Sequence, residues 1–336
     1  MTTDGRTVCP VDTLYRRRVA TRQPVCKRFA RCGSSLTVCL FALCTLLANP
    51  LLARATEIEP RAFSNAPVGL NFLIAGYLYT DGSVSFDPAV PLTDAQLRTD
   101  SAVIGYARSL NAWGRSAKFD VIVPYTRLEG SALYVGQPRT REVEGFADPR
   151  VRVSINFLGA PALTAKQFAG YRQDLIIGAS LQVMALLGQY DPERLVNIGT
   201  HRWAVKSELG ISKARDAWTL EVAPGVIWYS DNTDFLNGGT VEQAPLYTLQ
   251  AHLVRSFGKG MWAALDAIYY AGGRTTVNGV EGDTRQENTR LGATLALPID
   301  RYNSVKLYVS TGTYSRTDSD FDAVGVAWQY RWGGGF

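Results

Sequence analysis

Few side chains in this sequence could act as bases or nucleophiles near neutral pH. The 336 residues include two histidines, His201 and His252, and five cysteines that all precede residue 45. A catalytic base needs a partner within hydrogen-bonding distance, and the acid nearest to His201 with a plausible role is Asp191. Gly-x-Ser-x-Gly, His-Glu-x-x-His and phosphate-loop motifs are absent from the sequence. We predict solvated histidines and no enzyme, with a His201–Asp191 pair as the enzymatic alternative.

Metal-ligand patterns are also weak. The run Asp-Asn-Thr-Asp at 231–234 resembles half of a calcium loop, but the glycine and the distal glutamate do not follow in register. The stretch after residue 44 holds no cysteine, which excludes a disulfide framework and a thiolate metal site from it. The sequence therefore predicts no metal and no cofactor.

The net charge of +5 comes from the first part of the chain. Residues 1–55 hold nine Lys and Arg against two acids, which leaves 26 basic and 28 acidic groups in residues 56–336, a net charge of −2. A nucleic-acid binder needs a basic stripe, and none remains. We predict no nucleic-acid partner.

Residues 1–55 have the three parts of a cleaved secretion signal. The basic residues Lys27, Arg28 and Arg31 precede an apolar run at 36–47, and Ala-Arg-Ala follows at 53–55. An uncleaved anchor helix would need about 20 apolar residues, so this run is too short. We predict cleavage after Ala55 and export from the cytoplasm.

The rest of the chain alternates with period two, as strands with two different faces do. In 150–157 large apolar residues alternate with charged or polar ones. Strands are predicted near 68–79, 101–111, 116–126, 146–157, 173–187, 200–212, 217–230, 245–257, 260–271, 288–299, 303–315 and 321–336.

The predicted connections are mostly long and short in turn, which is typical of outer-membrane barrels. A soluble β-sandwich also alternates, but it would have to bury the many Trp and Tyr residues that lie at strand ends. The predicted fold class is all-β: a closed antiparallel transmembrane β-barrel of the outer-membrane type with about 12 strands. It spans 68–336, and 56–67 is a short periplasmic N-terminal segment. The long 158–172 connection is the main exception to the loop pattern, and it has room for a short helix at 162–169.

In such a barrel the polar residues of each strand face the lumen. The residues that the parity places there, and that we predict to line a pore, are Lys118, Asp120, Arg150, Arg152, Asn156, Gln182, Arg202, Lys206, Glu208, Glu221, Gln250, Arg290, Lys306 and Arg331. Charges of both signs either pair and fill a narrow barrel or line a pathway whose selectivity they tune. Twelve strands enclose a small, partly occluded pore, between eight-stranded filled barrels and sixteen-stranded porins.

The C-terminal stretch also alternates and ends in an aromatic residue. Tyr330, Trp332 and Phe336 share one parity. A closing strand of this kind resembles the signal by which the barrel-assembly machinery accepts its clients. We predict that these three residues form that signal.

Several motifs resemble one known family, the transporter-type proteins named for a meta-pathway of phenol degradation. They are Glu-Pro-Arg-Ala at 59–62, the stretch 65–72, the block 145–161 around Asp-Pro-Arg, Gly-Gln-Tyr-Asp-Pro at 188–192 with its continuation to 199, Arg-Trp at 202–203 and Glu-Leu-Gly at 208–210. The likeness extends from about 59 to 336, with one departure at 186–187, where a proline is expected. It implies an outer-membrane barrel that admits aromatic or other hydrophobic compounds.

The function predicted from these observations is an outer-membrane channel or transporter for small aromatic or hydrophobic molecules, with a narrow lumen. The alternative is a barrel that transports nothing and binds a partner through the loops at 80–100 and 231–244, with its lumen closed by ion pairs or by 56–67 folded inward. The predicted partners are outer-membrane lipid, the barrel-assembly machinery and a small-molecule solute. The predicted location is the cell outer membrane.

Overall fold

The computed structural model describes residues 58–83, 92–236, 238–317 and 320–335. The leader at 1–55 with its five cysteines lies outside the described residues, as does Phe336. The signal peptide, its cleavage after Ala55 and the role of Phe336 therefore stay predictions.

The described chain consists mainly of strands. They are β1 (Leu70–Ser83), β2 (Leu92–Ala112), β3 (Arg115–Tyr134), β4 (Gln137–Phe146), β5 (Arg150–Leu158), β6 (Leu175–Met184), β7 (Ala204–Arg215), β8 (Trp218–Tyr229), β9 (Asn232–Phe235), β10 (Gly239–Gln243), β11 (Leu246–Gly258), β12 (Met261–Gly272), β13 (Thr275–Val277), β14 (Val280–Glu281), β15 (Gln286–Pro298), β16 (Asn303–Ser315) and β17 (Asp320–Gly333). One short helix, α1 (Ala165–Phe168), lies between β5 and β6.

Within the described residues, twelve strands form a closed antiparallel ring. Its members in order are β1, β2, β3, β5, β6, β7, β8, β11, β12, β15, β16 and β17. The first and last strands pair with each other, which removes the sheet edges that an open sheet would expose. The predicted fold class and strand number are confirmed.

The two faces of the ring have opposite chemistry. On β12, Leu265 points outward and is 65% exposed, while its neighbour Asp266 points inward and is 3% exposed. The same alternation puts large apolar side chains on the outside of the other ring strands. The inside holds mostly serines, threonines and charged residues, with a few buried apolar side chains such as Ile176, Ile227 and Ile268. Apolar side chains facing outward suit a hydrocarbon environment, and the polar interior suits water and ions.

The strand boundaries differ from the prediction where strands leave the apolar band. β2 and β3 are longer than the predicted 101–111 and 116–126, and β4 extends the β3 pairing through the predicted loop at 127–145. The predicted loops at 231–244 and 272–287 contain β9, β10, β13 and β14, which form a separate four-stranded sheet. These segments have no strict apolar alternation, so periodicity could not identify them.

The connection between β5 and β6 contains the short helix that its length suggested. Thr164 caps α1 by accepting a hydrogen bond from the Gln167 backbone, and the Gln167 side chain accepts one from the Thr164 backbone. No helix in the described part of the chain is both long and apolar enough to cross a membrane.

Residues 58–69, the inner segment, lie inside the ring. Ile58 packs on Ile227 and Ile268 in the half of the lumen nearer the long loops. The Val68 N–H donates to the carbonyl of Leu163 (2.8 Å), at the end with the short turns. One prediction assigned 56–67 to the periplasm, and the alternative folded it inward. In the structure the described part of that stretch contacts lumen-facing side chains, because its charges and its aromatic ring find partners there.

Candidate functional site

The residues predicted to line the lumen lie at inward-facing positions of strands, except Arg202, which is buried in the loop before β7. They are Lys118, Asp120, Arg150, Arg152, Asn156, Gln182, Arg202, Lys206, Glu208, Glu221, Gln250, Arg290, Lys306 and Arg331. Arg331 lies at the short-turn end, where its Nε donates to the carbonyl of Arg301 (2.8 Å). Their role in a solute pathway stays a prediction.

Arg152 is the centre of the first ion-pair cluster. Its Nη2 donates to Glu59 of the inner segment (2.8 Å), its Nη1 bonds the other Glu59 oxygen, and its Nε donates to Asp120 (3.0 Å). The side chains of Arg152 and Asp120 are 12% and 11% exposed, and that of Glu59 is 30% exposed. A planar guanidinium can hold both carboxylates at once, so Arg152 fixes Glu59 to the barrel wall.

The charges around Glu59 decide its protonation. Burial alone would raise the pKa of this carboxyl group, but the Arg152 guanidinium, helped by Lys306 and Lys118, outweighs burial and lowers the pKa to about 2. Glu59 is therefore ionised throughout the physiological pH range, and the charge-assisted contact persists.

A second set of contacts holds the middle of the inner segment. The backbone N–H of Arg61 donates to Glu221 (2.5 Å), which also accepts from Ser212 (3.0 Å). Lys118 donates to the carbonyl of Ala62. Polar groups that would otherwise be buried without partners are satisfied in this way, which stabilises the segment in the lumen.

Phe63 fits into a notch formed by two glycines. Gly178 of β6 and Gly210 of β7 are direct cross-strand partners. A Cβ added to Gly210 would lie 2.1 Å from Phe63 Cδ2, and one added to Gly178 would lie 2.9 Å from Cδ1. The ring thus rests on bare backbone, and glycine is needed at both positions for this close approach. We call this place the glycine notch.

A small cavity remains beside the inner segment. It measures about 60 Å³, and Phe63, Arg150, Gln182, Glu208 and His252 are among the residues that line it. Lys206 pairs with Glu208 (2.6 Å) on its wall, and the Gln250 side chain also donates to Glu208 (2.8 Å). A cavity of this size holds a few water molecules at most, so the lumen is narrow at this level.

Two further arginines contact neighbouring strands near the long loops. Arg202 donates to Gln243 and lies 4.5 Å from the ring centroid of Tyr229. Arg290 pairs with Asp320 (3.1 Å), donates to Ser310 (2.9 Å) and stacks on Phe321. Both guanidinium groups are therefore held by side chains from neighbouring segments of the chain.

The two histidines have separate surroundings. His252 Nδ1 is 2.7 Å from Asp266, which also accepts from Thr294 (2.7 Å), and the histidine side chain is 4% exposed. His201 stacks on Tyr190 with 4.5 Å between ring centroids.

The described contacts of His201 and Asp191 are with other residues. Asp191 accepts from the backbone of Glu193 (3.0 Å) and pairs with Arg194 (3.7 Å) within its own loop.

The stretch 231–234, which resembles half of a calcium loop, is partly strand, and the Asn232 side chain accepts a hydrogen bond from the Asp234 backbone (3.0 Å). Among the described residues, no group of three or more His, Cys, Asp or Glu side chains is placed to hold a metal ion.

Two of the motifs that carried the family resemblance meet at the loop end. Asp148 accepts from the backbone of Gly188 (2.9 Å) and from the backbone of Thr200 (2.8 Å). Gly188 and Gly199 approach so closely that a Cβ on Gly199 would lie 2.7 Å from Gly188. Asp148 therefore folds the loop at 185–203 onto the end of β5.

Aromatic rings cover the C-terminal part of the outer face of β17. Trp328, Tyr330 and Trp332 stack in a row, with Tyr330 and Trp332 5.6 Å apart. An outward aromatic row near the ends of strands suits a lipid–water interface. The predicted assembly signal includes Tyr330 and Trp332, whose placement is compatible with it.

The sequence predicted that Arg152, Lys118 and Glu221 face the lumen, but it did not predict that they hold the inner segment. Glu59, Arg61 and Phe63 belong to a stretch without periodicity, and an inward position of 56–67 was only the alternative prediction. The glycine notch gave one usable signal, since Gly178 and Gly210 interrupt strand patterns, and glycine inside a strand indicates close approach of another group.

The sequence profile of the family described as "Putative MetA-pathway of phenol degradation" matches residues 77–333, well over half of the chain. The chain belongs to this family. The match confirms the resemblance first seen in the separate motifs. No curated protein sequence gives a significant match.

Among solved structures, the fold is similar to the COG4313 outer membrane channel from Pseudomonas putida F1. The TM-score is 0.68 at 17% identity, with 82% of this chain and 100% of that chain covered. The beta domain of the Bordetella autotransporter BrkA gives a TM-score of 0.47 at 11% identity, covering 79% of this chain and 100% of that one. A Pseudomonas aeruginosa FadL homologue gives a TM-score of 0.38 at 10% identity, with 82% of this chain and 95% of that chain covered. The first likeness supports the outer-membrane barrel fold.

Proposed function

We propose that this protein is an outer-membrane channel that admits one small aromatic or hydrophobic molecule at a time. The observation that carries the proposal is a polar lumen occupied by a short segment held through discrete, breakable contacts. A barrel built only as a scaffold needs no such segment, because side chains alone can fill a narrow lumen. Belonging to a family named for phenol degradation supports the aromatic class of solute.

The inner segment sets the resting state of this channel. With the segment in place, the cavity of about 60 Å³ is too small for a benzene-sized molecule, which occupies roughly 150 Å³ in a protein cavity. Passage of such a molecule therefore requires the segment to move or the ring of Phe63 to leave the glycine notch. Water and small ions can pass more easily than an aromatic solute.

We place the protein in the outer membrane, with residues 1–55 removed as a signal peptide. The apolar outer face requires lipid contact, and the closed ring leaves no free edge. The barrel-assembly machinery and outer-membrane lipid are the partners that this placement implies.

The test compares the purified full barrel with a variant that lacks residues 58–66. Planar-bilayer conductance and liposome swelling with phenol and with sugars of increasing size measure what passes. We expect low conductance from the parent protein and several-fold higher conductance from the variant, with phenol entering faster than a sugar of similar size. If no aromatic solute enters through either protein, the transport proposal fails and the fold stands.

A non-transporting barrel that binds a partner is the second candidate. The observation that favours it is the separate sheet of β9, β10, β13 and β14, which gives the long loops a defined surface beyond the ring. A segment-free variant that folds and still conducts nothing would favour this candidate over the channel.

A further inference from the structure

The glycine notch has the shape of a binding site for an aromatic ring, and the ring that occupies it belongs to the chain itself. Phe63 is 6% exposed and lies against two facing glycines whose Cβ atoms would overlap it. Glycine inside a strand lowers the stability of the folded state by roughly 0.5–1 kcal/mol relative to alanine, and here two glycines face each other. The close approach of a ring to the backbone accounts for this cost.

Polar side chains lie on one side of the notch. On the same inward face, Ser180 and Ser212 lie two positions from Gly178 and Gly210 along their strands, and both serines are buried. Asn156, opposite Gly178 on β5, donates its Nδ2 to the carbonyl of Phe63 (2.9 Å). Ile176, also buried, lies two positions from Gly178 on the other side. The notch is therefore a flat apolar place in the lumen wall, bordered by Ile176 and by polar side chains.

Phe63 also borders the remaining cavity, so a molecule in the cavity would touch its ring. A tethered ring competes with a free one at an effective concentration that is in the millimolar range for short flexible linkers. A solute ring and Phe63 cannot occupy the same notch together.

We propose that the glycine notch is a binding site for an aromatic ring of the transported solute, and that Phe63 is a tethered competitor that occupies it at rest. This inference rests on the proposed function and names its solute class from the notch itself. An aromatic solute that enters the notch displaces Phe63 and weakens the hold on the inner segment. Solutes without a flat ring fit the notch less well and leave the segment in place.

Binding of phenol to detergent-solubilised protein tests the notch without any flux measurement. In Phe63→Ala the competitor is gone, and the apparent dissociation constant of phenol is expected to fall at least about tenfold relative to the parent protein. Cyclohexanol, the saturated analogue, is expected to bind the variant several-fold more weakly than phenol does. Adding Gly210→Ala to Phe63→Ala places a methyl group where the ring would lie and should abolish the gain.

The matched control adds Gly105→Ala to Phe63→Ala. Gly105 is also a lumen-facing glycine, but its added Cβ would meet its nearest neighbour at an ordinary 3.4 Å. This variant should bind phenol as the single variant does. The proposal is overturned if Phe63→Ala binds phenol no more tightly than the parent, or if Gly210→Ala leaves the gain intact.

A second measurement uses the unmutated notch and does not depend on the folding of Phe63→Ala. The chain has no cysteine after residue 44, so Ala62→Cys gives the leader-free protein a single reactive thiol on the inner segment. Phenol should accelerate maleimide labelling of this thiol in a saturable manner, and cyclohexanol should not. Equal labelling with and without phenol would contradict the displacement. If phenol binds the notch while liposomes admit no solute, the site stands and the channel function falls.

Discussion

Replacing Glu59 by glutamine should loosen the inner segment by an amount that the structure allows us to work out. The pKa of Glu59 falls from 4.5 to about 2 when the segment is in place, which corresponds to roughly 3 kcal/mol of favourable interaction with the ionised form. The side chain is 30% exposed, and Arg152 keeps Asp120 as a partner, so we expect a loss of about 2 kcal/mol. The detached population should then rise roughly 30-fold.

The sign of the pH dependence follows from the lowered pKa. The contribution of Glu59 is complete above its ordinary pKa of 4.5 and is lost as the pH falls through about 2. Acidification from pH 7 to pH 5 should therefore leave the closed state of the parent protein unchanged. Opening should begin only in strongly acidic solution.

Single-channel recording measures the detached population as the fraction of time spent in the high-conductance state. Glu59→Gln should increase that fraction roughly 30-fold at pH 7, and the increase should not depend on pH between 5 and 8. Glu144→Gln is the matched control, because Glu144 is an exposed, outward-facing glutamate on β4. Unchanged openings in Glu59→Gln, or opening of the parent protein near pH 5, would refute the role of the Arg152 contact.

Three other predictions concern the barrel. Asp266→Ala removes a side chain that accepts hydrogen bonds from a buried histidine and a threonine, and should lower the free energy of unfolding by about 2–3 kcal/mol, measured by urea titration in detergent. Leu265→Arg should lower the free energy of unfolding in lipid by roughly 2–4 kcal/mol. Val280→Arg, at a position equally exposed at 65% but outside the ring, should leave that free energy almost unchanged. Asp148→Ala should release the loop at 185–203. The backbone amide hydrogens of Gly188 and Thr200, which donate to this carboxylate, should exchange with solvent at least about tenfold faster; unchanged exchange would contradict this role.

Much of the fold was predictable because the lipid environment imposes a strict pattern. Residues 150–157 alternate without exception, and the structure makes β5 from this stretch. The same parity placed Arg152, Asn156 and Glu221 on the inner face correctly. A one-residue error in register would have turned every side chain to the wrong face, so apolar alternation fixes the orientation firmly.

Strands outside the apolar band could not be predicted in the same way. β4 and the four strands of the outer sheet lie outside the ring, so neither of their faces has to be apolar throughout. Their pairing is set by partners that are distant in the sequence, such as β10 with β13. A single sequence contains little information on such contacts.

The inward position of the inner segment was predicted only as an alternative, and its contacts could not be predicted for a different reason. Its position depends on individual contacts between Glu59 and Arg152 and between Phe63 and two glycines, over distances of 93 to about 150 residues in the chain. The sequence showed the charges and the glycines, and the parity placed Arg152 inward. It could not show that a nonperiodic stretch before the first strand would supply their partners.

The hairpin of β3 and β4 reaches far beyond the lipid. The 20 residues of β3 extend roughly 65 Å at about 3.4 Å per residue, and even at a tilt of about 40° they rise roughly 50 Å, about twice the height of the apolar band. Its tip at Val135 and Gly136 therefore stands clear of the bilayer and is exposed. An epitope tag inserted there should be visible to antibodies on intact cells, which would make this hairpin a suitable place to report the arrival of the protein at the cell surface.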